Sequence, residues 1–93
     1  MHIGAETFEL EITDGITLKD KRQVIRSLLD RARVRFRVAA AEIDQLDSPR
    51  WATIAVVTVA NDQVHANQVL EAVAQFVESE PRVMVLERKV EFI

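Results

Sequence analysis

Hydropathy along this chain runs in six segments whose period switches from 2 to 3.6, back to 2 twice, then to 3.6 and to 2 again. From Met1 to Thr13, Phe8, Leu10 and Ile12 alternate with Thr7, Glu9 and Glu11, as in a strand with one buried face. Asp14-Gly15 is a turn signal, and Thr17 with Asp20 three residues on resembles a capping box with a shorter acid than the usual Glu or Gln. Leu18, Ile25, Leu28, Leu29 and Ala32 then recur at helical spacing and form a core-facing stripe that ends near Arg35. Phe36 to Leu46 reads as a second strand. Glu42 falls there on the parity of Phe36, Val38 and Ala40, which requires a bulge or a strand that leaves the core early.

Asp47-Ser48-Pro49-Arg50 is a loop, and Trp51 to Ala60 is β-branched and apolar on both parities, as expected of a central strand. Asn61 or Asp62 caps a second helix whose Ala66, Val69, Leu70, Val73, Phe76 and Val77 form a stripe, with Pro81 just past its end. Val83 to Ile93 alternates again, Met84, Leu86, Val90 and Phe92 on one parity and Glu87, Lys89 and Glu91 on the other. The order β-α-β-β-α-β predicts an α+β, ferredoxin-like fold: one domain over residues 1–93, a four-stranded antiparallel sheet with two helices on one face.

Ninety-three residues bury roughly 60 to 65% of their unfolded surface, enough for one core without a staple. The chain has no cysteine, so disulfides and thiolate metal sites are excluded. It has neither a run of about 18 apolar residues nor a basic-then-apolar leader pattern at Met1, and a cytoplasmic location is the expectation.

Charge is strongly segregated. Between Lys19 and Arg37 lie eight of the twelve Lys and Arg residues and two acids, net plus six, whereas the remainder holds four cations and thirteen acids. On a helical wheel Lys19, Arg22, Arg26 and Arg33 fall within about 60° of one another beside the apolar stripe. This ridge reads either as a solvated helix flank or as a surface for an anionic polymer. Arg35 and Arg37 carry positive charge past the helix end, where cations also suit the macrodipole. Lys21 lies inside the apolar stripe, so its stem is expected to pack at the core edge while its ammonium snorkels outward, with a partner carboxylate or a bound phosphate as the alternative.

RNA-recognition motifs share this strand order and stack bases on sheet-face aromatics, but here the outward positions of strand one are Thr7, Glu9 and Glu11. Trp51 reads as a packing residue or hairpin anchor rather than a stacking platform. Gly4 and Gly15 cannot build a dinucleotide loop or a P-loop, and His2 and His65 offer no i, i+4 pair. Glu42, Asp44 and Asp47 lack the glycine of a calcium loop and read as solvated acids. No cofactor, metal or enzymatic activity is expected.

Thr17-Leu18-Lys19-Asp20-Lys21-Arg22 and Val24-Ile25-Arg26-Ser27-Leu28, continued by Arg33, Arg35-Phe36, Val38, Ala41-Glu42-Ile43, Trp51-Ala52 and Asn61-Asp62, resemble the YlxP-like family of small bacterial proteins (domain of unknown function 503). The resemblance implies a ferredoxin-like fold and genes that commonly stand beside translation-initiation and ribosome-maturation factors, and it assigns no activity. The family often has Asn where this chain has Arg37, and Pro49 is a departure in the loop before Trp51.

The expected function is a non-enzymatic binding module on ribosomal RNA or a ribosomal subunit. Lys19, Arg22, Arg26 and Arg33 would supply charge, Lys21 a phosphate contact, and Arg35 and Arg37 an extended track. The alternative is a homodimeric protein-interaction or small-ligand regulatory module that associates through the open sheet face, because strand three is apolar on both sides.

Overall fold

The computed structural model describes residues 1–15 and 17–93. Its elements are β1 (His2–Ile12), α1 (Leu18–Phe36), β2 (Ala39–Asp44), β3 (Trp51–Ala60), α2 (Gln63–Glu78) and β4 (Val83–Phe92). The strands form one sheet in the order β2-β3-β1-β4, every neighbouring pair antiparallel. This is the ferredoxin-like fold, with both helices on one face.

Alternation decides which side chains meet the helices. Phe8 and Leu10 of β1 lie opposite Ile54 and Ala52 of β3, and all four are buried under α1 and α2. The opposite parity, from Ile3 to Glu11 and from Trp51 to Val59, forms the helix-free face. Gly4 lies where α2 approaches β1, and a Cβ there would come within 2.9 Å of Leu70 Cδ1. Asp62 caps α2 by accepting from the His65 amide at 2.7 Å.

Helix α1 begins in a reciprocal capping box. The Asp20 amide donates to Thr17 Oγ1 at 3.1 Å, and the Thr17 amide donates to Asp20 Oδ2 at 3.2 Å. Gly15 at φ +100° brings the chain to this cap, and a Cβ at that position would stand 2.6 Å from Asp20 Cβ.

Two local expectations are corrected. Phe36 does not open a strand: it is the last residue of α1 and packs edge to face on Phe76 at 5.6 Å, and β2 starts at Ala39. Arg37 between them is the left-handed C-cap (φ 55°, ψ 46°), its amide donating to the Arg33 carbonyl at 2.9 Å. Asn adopts that conformation more readily than Arg, so Arg37→Asn should raise the unfolding free energy by about 0.5 to 1 kcal/mol in urea titration, and an unchanged or lower midpoint would refute the cap as its cause.

The second correction concerns β4, where the register slips between the Glu9–Glu87 and Leu10–Val85 pairs and leaves Leu86 as the extra residue of a bulge. Parity reverses at that point. Val83 and Val85 face the core, Met84 and Leu86 are half exposed, and only Val90 and Phe92 share the inner face as their spacing implied. Another slip, between Glu42 and Asp44, comes after Glu42, which stays on the inner parity with Ala40 and lies opposite Ile54.

Candidate nucleic-acid interface

The apolar stripe of α1, Val24, Ile25, Leu28, Leu29 and Ala32, is buried, and this fixes what the rest of the helix presents. Lys19, Arg22 and Arg26 recur on the exposed side next to Ile25 and Leu29. Arg22, Arg26 and Arg33 overhang a groove of about 350 Å3 whose remaining lining includes Ile25, Leu29 and, from β2, Glu42. A shallower depression between Lys19, Gln23, Arg22 and Arg26 continues it toward the start of the helix.

Commitments of the cations sort the ridge. Among the described residues, seven of the twelve Lys and Arg side chains contact a carboxylate: Lys21, Arg31, Arg33, Arg50, Arg82, Arg88 and Lys89. Arg33 bonds Asp30 at 2.9 Å and also donates from Nε and Nη2 to the Ala40 carbonyl, at 3.2 and 2.6 Å. It therefore ties α1 to β2. Arg35 spreads its guanidinium over the rings of Phe36 and Phe76, at 5.2 and 5.7 Å. Lys19, Arg22, Arg26 and Arg37 contact no acid among the described residues.

Lys21 is not a phosphate contact and does not snorkel. Its side chain is 0% exposed, its Nζ lies 2.7 Å from Glu42 Oε2, and it donates to the Gln45 carbonyl at 2.5 Å. The approach to Glu42 is an ion contact rather than an aligned hydrogen bond. Glu42 sits on the inner face of β2, opposite Ile54, because Lys21 receives it there. Gln45 adopts φ 62°, an uncommon conformation for a non-glycine residue, in presenting its carbonyl to the ammonium.

Two further ionic clusters escaped the sequence reading. Glu6 lies on the inner parity of β1 with Phe8 and Leu10, 1% exposed, and Arg88 on the opposite strand donates to its Oε2 at 2.6 Å. Burial raises the Glu6 carboxyl above 4.5 even though Arg88 pulls it down. Arg88 also reaches Glu71 and Glu78 of α2. Glu80, buried after α2, accepts from Arg82 and Arg31, and these bonds outweigh burial and hold its carboxyl at about 2. One signal for Glu6 was available: an acid on the parity of the buried strand residues needs a cation across the sheet.

Trp51 is 38% exposed on the open sheet face with Arg50 over its ring at 4.8 Å, an anchored position and not a free platform. Among the described residues no three His, Cys, Asp or Glu side chains converge as a metal site would require, and no helix is long and apolar enough to cross a membrane.

The profile of the family described as "Protein of unknown function (DUF503)" matches residues 3–90. This chain belongs to the DUF503 family. Within it, the Bacillus subtilis (strain 168) protein YlxP, described as uncharacterized, is 30% identical over 81 residues, which span 87% of this chain and 88% of YlxP. Among solved structures the fold resembles the de novo designed protein Foldit4, at TM-score 0.55 and 10% identity over all of this chain and 97% of that one. It also resembles a C-terminal segment of the aIF2 alpha subunit from Pyrococcus abyssi, at TM-score 0.52 and 23% identity over all of this chain and 49% of that one. Those two likenesses establish the fold of this DUF503 protein and nothing about its partners.

Proposed function

We propose that this DUF503 protein is a non-enzymatic module that docks on structured RNA through phosphate contacts from Lys19, Arg22 and Arg26 of α1. One observation carries the reading: three of the five cations without an acid among the described residues, Lys19, Arg22 and Arg26, line up on a single exposed helix flank, in a chain of net charge −3. Fully solvated cations bring neither the desolvation cost nor the competing carboxylate that would weaken a phosphate contact. Ribosomal RNA, toward which the family resemblance points, is the first target to test. Arg33 serves in the frame of the groove, since its donors are held by Ala40 and Asp30.

Replacing Lys19, Arg22 and Arg26 together by Gln keeps good helix formers and should leave stability within about 1 kcal/mol. The slope of log affinity against log salt for ribosomal RNA should shrink by about 2 for a single-stranded target and by nearly 3 for a duplex. No association of the parent protein with ribosomal subunits in co-sedimentation, or an unchanged slope in the variant, would defeat the reading.

The open sheet face favours a second, compatible interaction. Ile3 pairs with Val59, Ala5 with Val57, Ala39 with Val57 and Ala41 with Ala55, which makes a flat apolar quadrant with Val59 63% exposed, while Glu9, Glu87, Lys89 and Glu91 fill the β1–β4 side. Packing this quadrant on its copy about a twofold axis buries it without burying the acids. Sedimentation should report twice 10.6 kDa at micromolar concentration, and Val57→Glu should return it to a monomer. A parent protein that stays monomeric at high concentration excludes the dimer.

A further inference from the structure

The flank of α1 opposite the ridge faces α2. Toward the C-terminal end of the helix lies a second groove of about 500 Å3, lined by Asp30, Arg31, Val34, Arg35 and Phe76. Phe76 of α2 is partly buried, Arg31 lies 5.3 Å from its ring centre, and Arg35 covers the Phe36–Phe76 pair. Arg31 is held in place by Glu80 at 2.5 Å. Arg35 has no carboxylate partner among the described residues, and its exposed guanidinium lies close to both rings. Beside it Val34 is 82% exposed at a helix position where a polar residue would cost nothing.

We infer that this shelf receives one unpaired RNA base, stacked on the Arg35 guanidinium and against Val34, while the neighbouring phosphates lie on Lys19, Arg22 and Arg26. The inference rests on the RNA reading above and narrows its target from RNA in general to RNA with an extruded nucleotide. Three features favour a base over other occupants. A guanidinium plane supported by aromatic rings is a π-stacking surface. Asp30, the sole acid of the lining, is already held by Arg33 at 2.9 Å. From Arg26 to Arg35 the helix rises about 14 Å and turns through about 180°, so a strand running from ridge to shelf crosses the exposed face of α1 past Asp30 and Val34. On the sheet face, where related folds stack bases, β1 offers Thr7 and Glu9, and the guanidinium over Trp51 is that of Arg50, held by Glu11 at 2.8 Å, so stacking in this protein falls to the helix side.

Two hairpin RNAs with the same stem, one fully paired and one with a single bulged adenosine, separate the possibilities when titrated against the parent protein and Arg35→Lys. The bulged hairpin should bind the parent about tenfold tighter, as expected for one stacked base. Arg35→Lys keeps the charge and loses the plane. It should equalise the two hairpins while leaving the affinity for the paired one, and its salt slope, unchanged. Equal parental affinities with a normal salt slope would overturn the shelf and leave the RNA reading standing, as would a bulge preference that survives Arg35→Lys. Binding of neither hairpin at low salt would remove the RNA reading and this inference with it, and would shift the shelf toward an aromatic side chain of a protein partner.

Discussion

Lys21→Met should lower the unfolding free energy by about 3 kcal/mol, although at the sequence level it exchanges a charge inside an apolar stripe for a side chain of similar length. The variant strands Glu42, whose side chain is 13% exposed and whose Oε2 faces Lys21 at 2.7 Å, and it empties the Gln45 carbonyl as well. Removing one partner of a buried pair typically costs about 3 to 5 kcal/mol, and the partial exposure of Glu42 sets the lower end. Lys21→Met with Glu42→Leu removes both charges and should recover most of the loss. Urea unfolding of both variants decides the matter: a single-variant loss below about 1 kcal/mol would show that Glu42 escapes to solvent at no cost.

Arg88→Met should have a comparable effect, about 3 kcal/mol at neutral pH, and its pH dependence identifies the cause. Glu6 is 1% exposed, and among the described residues its Oε1 has no hydrogen-bond partner and Arg88 is the one cation in contact with it. An acid whose folded pKa lies above its unfolded value destabilises the fold when ionised. The cost of Glu6 is thus absent well below 4.5 and grows as pH rises from there through the raised folded value. Removing Arg88 raises that value further, so the gap between variant and parent should be small near pH 4 and widen toward pH 7. Glu80 runs in the opposite sense, its contribution present above 4.5 and lost as pH falls toward about 2, but both proteins share it and it cancels in the difference. A gap of constant size from pH 4 to 7, or one that survives Glu6→Gln in the variant background, would assign the loss to packing instead.

Periodicity along the chain was sufficient for the six elements, their order, the capping box at Thr17 and Asp20 and the inner parity of β1, because each depends on residues within a few positions of one another. It misjudged the start of β2, where Phe36 and Val38 carry strand-like alternation. A helix C-cap is decided by the conformation of one residue, Arg37, which hydropathy does not report. It also misjudged the faces of Met84 and Leu86, since one bulged residue reverses parity and only the pairing with β1 reveals it. The basic ridge was visible as composition. Which of its members are available was not: Lys21 is bonded to Glu42 and Gln45, Arg33 to Ala40 and Asp30, whereas Lys19, Arg22 and Arg26 contact no acid among the described residues. The sequence by itself determined the number and order of the elements, the family and the concentration of charge, which are local or additive properties. Tertiary structure decided which charges cancel, because the partners lie 21 positions apart in Lys21–Glu42 and 82 apart in Glu6–Arg88, and only the strand order and the seat of α1 bring them within an ion pair's reach.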